Sequence, residues 1–140
     1  MLSGQFAIIT AALFSGAAVY INFVEQPARL GLVDQSLLEE WKPAYKRGTL
    51  MQAPLAVIGF LLGTWAWWQS GNALWAVGGL LMLFNLPVTL IVIKPTNNRL
   101  MATETATSES RSLILKWGAL HGIRTCLGFT ATAAFLLASP

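Results

Sequence analysis

Four apolar runs, at roughly 5–24, 50–68, 73–93 and 117–138, dominate this chain and leave it little choice of fold. Each is close to the ~20 helical residues needed to cross a hydrocarbon core of about 30 Å. A segment in lipid must pair its own backbone N–H and C=O groups, which favours helices over isolated strands. A soluble alternative needs a polar shell, and only 11% of the residues are charged against 55% hydrophobic. Ordinary soluble domains carry roughly a quarter charged residues. The expectation is an all-α membrane protein, a bundle of four transmembrane helices forming a single domain over 1–140. The first run has no Lys or Arg before Arg29, and Asn22 and Glu25 close it where a cleavage site would need small residues. It therefore reads as a retained helix and not as a signal peptide.

Local signals refine this outline. Gln69-Ser70-Gly71-Asn72 predicts a tight turn between the second and third spans. Pro54 is placed near the start of the second span, and Pro87, two residues after Asn85, should kink the third. Leu37-Leu38-Glu39-Glu40-Trp41 reads as a short interfacial helix, and Ser108 or Ser110 as the cap of an extension of the fourth span. Small residues recur at a spacing of four, in Ala12 and Gly16, Gly59 and Gly63, and Gly118 and Gly122, which suits close helix approach in lipid.

The charges are distributed by side. Arg29, Lys42, Lys46, Arg47, Lys94, Arg99, Arg111 and Lys116 all fall in the two polar connections, 25–49 and 94–116, which four spans bring to one face. The positive-inside rule places that face in the cytoplasm and both termini outside. Trp65, Trp67, Trp68 and Trp75 then mark the uncharged boundary, and Trp41, Tyr45 and Trp117 the charged one. The net charge of +3 shows no basic stripe with interleaved aromatics, so the partner it suggests is the lipid bilayer and not nucleic acid.

A shift of 70 residues sets Arg29-Leu30 over Arg99-Leu100, Glu39 over Glu109, and Lys46-x-Gly48-x-Leu50 over Lys116-x-Gly118-x-Leu120. The match needs no gap and superposes hairpin on hairpin, which suggests a duplicated two-helix unit, 1–70 and 71–140. Asn22, Glu25, His121 and Arg124 have no polar counterpart under that shift, so they break the symmetry.

These four residues are the candidate site. Asn22 and Glu25 are three apart, as are His121 and Arg124, so each pair shares a helix face. Antiparallel first and fourth spans would bring Glu25 near His121 and Asn22 near Arg124. Ionisable groups at such depth usually pair and usually mark function. One reading is a Glu25–Arg124 ion pair that locks two helices. The other is a catalytic set of His121, Glu25 and Arg124, with Asn22, Tyr45, Lys46, Gln52 and Asn97 binding substrate. His121, the one histidine, has an unperturbed pKa suited to base catalysis near neutral pH. One histidine and one cysteine, Cys126, offer neither a disulfide nor a zinc or facial-triad pattern, so no metal is expected. No phosphate loop, nucleophile elbow or dinucleotide fingerprint occurs.

Four motifs carry a family resemblance: Asn22-x-x-Glu25-x-Pro27, Trp41-Lys42-Pro43-x-Tyr45-Lys46-Arg47-Gly48, Pro95-Thr96-Asn97 and His121-x-x-Arg124. From about residue 11 to 137 the chain resembles the membrane family called DUF1772, also described as anthrone oxygenase-like. The resemblance implies insertion of oxygen into an electron-rich polycyclic phenol to give a quinone, without a bound cofactor and with O₂ as co-substrate. It further implies that His121 is the base forming a carbanion or phenolate, with Arg124 and Asn22 stabilising the oxyanion. Three classes thus follow from the sequence: an oxidoreductase acting on a lipophilic aromatic, a non-catalytic membrane binding or structural subunit, and a small transporter, which would need a homo-oligomer.

Overall fold

The computed structural model describes residues 1–140 and contains four long helices: α1 (Leu2–Leu30), α2 (Asp34–Ser70), α3 (Ala73–Ala102) and α4 (Ser108–Ala138). All four are long and apolar enough to cross a membrane. Each helix packs mainly on two neighbours, α1 on α2 and α4, and α3 on α2 and α4, so the bundle is a closed ring. Its polarity is inverted relative to a soluble protein. Leu50, Trp68, Ile91 and Leu137 are exposed to the surroundings, whereas Gln52, His121 and Asn85 are buried.

The connections follow from local chemistry. Gly71 ends α2 with φ 71, a left-handed conformation that costs glycine nothing, and the Asn72 side chain accepts from the Leu74 N–H to cap α3. Thr107, and neither Ser108 nor Ser110, caps α4, and Ser110 closes a reciprocal capping box with it.

Three expectations are corrected. Residues 37–41 are not a separate interfacial helix. They are early turns of α2, which runs unbroken through Pro43 and Pro54 for 37 residues. Pro54 is therefore mid-helix and not near a start. At 1.5 Å per residue α2 is about 55 Å long, well beyond the hydrocarbon thickness. Its polar first turns pack on the neighbouring helices through Leu37, Leu38 and Trp41. The interruption at Pro87 takes the form of a π-helical stretch, Val88–Ile93, beginning on the next residue. A second π stretch, Ile21–Glu25, lies in α1.

Two apolar cores result. One, built on Ala7, Phe14, Ala56, Trp75, Met82 and Phe135, occupies the uncharged half. The other, built on Leu37, Trp41, Ile93, Leu100, Ile114 and Trp117, occupies the charged half. Gln26 and Arg29 of α1, Gln52 of α2, and His121, Arg124 and Thr125 of α4 are the buried polar residues that fall between these cores. Close approach is bought by glycine at α2 and α3, where a methyl on Gly63 or Gly78 would run into the Phe135 ring.

Candidate active site

Between the cores lies a narrow cleft of about 20 Å³, room for a single water-sized group. Its walls carry Glu25 and Arg29 from α1, Tyr45, Thr49 and Gln52 from α2, Thr89 and Asn97 from α3, and Trp117, His121 and Arg124 from α4. The two π stretches meet here, since Ile21 and Glu25 come from one and Thr89 and Ile93 from the other. Wider turns of this kind recur at functional sites, because they re-aim side chains that a uniform helix would place elsewhere.

His121 is buried and held from two sides. Its Nδ1 lies 2.8 Å from Asn22 Oδ1. The Trp117 ring sits 5.1 Å away, centroid to centroid, and Trp117 in turn meets Trp41 edge-on, with Tyr45 stacked on Trp41. The remaining ring nitrogen, Nε2, is buried and has no hydrogen-bond partner. Asn22 itself is fully engaged with α4: its Nδ2 donates to Gly118 O at 2.8 Å, and the Thr125 hydroxyl donates to its Oδ1 at 2.6 Å. One turn on, Gln26 Nε2 donates to Ile114 O at 2.9 Å. Gly118 makes room for this, since a Cβ there would collide with the Gln26 amide.

The expected pairing within the site is corrected in two respects. Glu25 does not bridge to Arg124. Arg29, one helical turn along α1, takes Glu25 at 2.5 Å and Glu40 of α2 at 3.0 Å, with its guanidinium 5.6 Å over the Trp117 ring. The Arg29 side chain is 2% exposed, so it is a buried cation and not a solvated loop charge. Glu25 is satisfied within its own helix, and the helix lock falls to Arg29. Arg124 is left without a carboxylate. Its guanidinium lies 5.5 Å over the Phe14 ring, and its Nε is buried without a partner. Asn22, expected beside Arg124, meets His121 instead and stands behind the cleft wall.

Of the other expected substrate contacts, Tyr45, Gln52 and Asn97 line the cleft, whereas Lys46 is exposed and lies outside it. Gln52 is completely buried with both amide atoms unpartnered, and Asn97 Oδ1 is likewise unpartnered. Buried polar groups are nearly always hydrogen-bonded. A cleft wall carrying this many unpartnered ones is suited to a ligand that brings its own donors and acceptors. Glu25 and His121 could each ligate a metal, but no group of three His, Cys, Asp or Glu side chains converges anywhere in the chain.

Sequence reasoning missed Arg29, Glu40, Thr125 and Gln26. The one available signal was the Glu25–Arg29 spacing of four, which favours a pair on one helix face.

The family described as anthrone oxygenase matches residues 41–134. Anthrone oxygenase AgnL2 of Paecilomyces divaricatus is 26% identical over 141 residues, covering 86% of this chain and 85% of the relative. An anthrone oxygenase of Claviceps purpurea is 26% identical over 138 residues, covering 86% and 79%. No solved structure matches the chain.

Proposed function

The chain belongs to the anthrone oxygenase family, and from that premise we propose that it is a membrane-embedded oxygenase converting a lipophilic, phenolic aromatic to a quinone-type product. The observation that carries this reading is one cleft wall on α4 presenting an unpartnered imidazole nitrogen, His121 Nε2, beside an unpaired guanidinium, Arg124.

The chemistry balances without an external reductant. His121 Nε2 takes a proton from the acidic CH₂ of the substrate, and the charge moves to the ring oxygen, where Arg124 holds it. The carbanion adds O₂ and recovers the proton to give a hydroperoxide. Loss of the second C–H proton to His121 breaks the O–O bond, leaving C=O and hydroxide, which takes that proton as water. The carbon gives up four electrons and O₂ accepts them. Glu25 is the third member of the set: tied to Arg29, it holds the cleft wall and keeps that cation from competing with Arg124. Tyr45, Gln52 and Asn97 bind the substrate's polar substituents. We read the cleft as lying just below the cytoplasmic headgroups; an aromatic reaching it from the bilayer has to part the wall side chains, since the closed cleft admits only a water-sized group.

The test is turnover of an anthrone-type tricyclic under ¹⁸O₂ by protein in nanodiscs. One label should enter the quinone and one the water. His121→Ala should lose about 10²–10⁴-fold in rate, with helix content retained. A rate no higher than that of empty nanodiscs, or a folded His121→Ala variant as fast as the parent, overturns the reading.

A further inference from the structure

A base at Nε2 requires that the ring's one proton sit on Nδ1, and neutral imidazole in water prefers the opposite arrangement. Something in the protein must therefore choose the tautomer, and the choice is made by the hydrogen bond at the other nitrogen. In this structure that partner is the side-chain amide of Asn22.

Which end of the amide faces the ring is fixed by its other contacts. The Gly118 carbonyl, 2.8 Å from Asn22 Nδ2, can only accept, so the NH₂ group must point at it. A reversed amide would set two carbonyl oxygens against each other. The oxygen end therefore faces His121, and it also receives the Thr125 hydroxyl. A carbonyl oxygen cannot donate, so Nδ1 must carry the hydrogen, and Nε2 is left with its lone pair at the cleft. The Gly118 carbonyl thus acts on the histidine through one intervening amide.

We propose that Asn22 is a positioning residue that sets His121 in its Nδ1–H tautomer, with Gly118 O and the Thr125 hydroxyl fixing the amide's direction. The tautomer assignment stands on geometry alone, and its catalytic importance rests on the oxygenase reading above. With the amide removed, the ring would revert mainly to Nε2–H. It would then present a proton to the substrate where a lone pair is needed.

The chain's single histidine makes this directly readable. A two-bond ¹⁵N–¹H correlation spectrum of [¹⁵N]histidine-labelled protein in nanodiscs at neutral pH reports one ring. The parent should show a pyrrole-type Nδ1 and a pyridine-type Nε2. Asn22→Leu should invert that pattern and lower kcat about 10²-fold, with little change in KM. Asn22→Asp keeps an acceptor and should keep the hydrogen on Nδ1, with lowered stability because it sets an oxygen against the Gly118 carbonyl. A parent spectrum showing Nε2–H, or a doubly protonated ring, overturns the proposal even if no variant folds. So does an Asn22→Leu variant that folds and keeps the parent pattern. Correct tautomers with no oxygenation by the parent would leave the assignment standing and sink only the oxygenase reading.

Discussion

Two arginines show how position decides what a buried charge does in this bundle. Arg29 is held between Glu25 and Glu40 and against Trp117, so it joins α1, α2 and α4. Arg124, one of its companions on the cleft wall, has only the face of Phe14. Breaking a buried ion pair from one side strands the partners, whereas removing an unpaired buried cation relieves a desolvation cost. Arg29→Met should therefore lower stability by about 2–3 kcal/mol, less than a fully buried pair would lose because both carboxylates keep some water. Arg124→Met should leave the melting temperature unchanged or raise it, while abolishing oxygenation. Thermal unfolding in detergent beside a turnover assay separates the two, and equal destabilisation by both variants would return Arg124 to a locking role. The sequence placed Arg124 in its span and its face correctly. It could not show that Arg29 would outcompete it for Glu25, because that depends on Glu40 and Trp117, which reach the site from two other helices.

At the level of elements, the π stretches are what the residue pattern hid. The length of the apolar runs located α1 and α3 as spans, and the Asn22–Glu25 spacing placed both residues on one face under uniform winding. In the structure Ile21–Glu25 carries wider turns, so Asn22 reaches α4 while Glu25 meets Arg29. No local propensity marks such a stretch, and the winding is settled by the packing around it. Glycine spacing was legible to the same partial degree. A methyl on Gly59, Gly63 or Gly118 would meet a neighbour, but Gly16 and Gly122 have nothing near them. A π stretch behaves as a one-residue insertion into an α-helix. Deleting the exposed Phe23 should thus restore uniform winding and leave the bundle folded. Asn22 and the former Glu25 would then be two residues apart, about 200° around the helix, and could not both serve the cleft. Unchanged circular dichroism with turnover lost is the expected result, and retained turnover would show that the wider turn is dispensable.

The molecule as a whole is asymmetric along the bundle axis. The uncharged half ends in the short α2–α3 turn and the two termini, with Trp65, Trp67 and Trp68 exposed near its edge. The other half carries eight of the nine Lys and Arg residues and an apolar core of its own, built from α2, α3 and α4. This division was readable from the four runs and the placement of charge alone, because burial in lipid is set by composition over a whole segment. Which end faces the cytoplasm is a separate matter, governed during insertion by Lys and Arg in the short connections. With no Lys or Arg at the opposite end, the bias is one-sided, and the cleft should open at the inner leaflet. Replacing the one cysteine, in Cys126→Ser, gives a silent background for accessibility labelling. In intact cells a membrane-impermeant maleimide should then label Ser139→Cys at once, and Thr105→Cys only after permeabilisation. The reverse pattern would put the charged end outside. The substrate would then have to enter from the outer leaflet, although nothing in the packing of α1 to α4 would change.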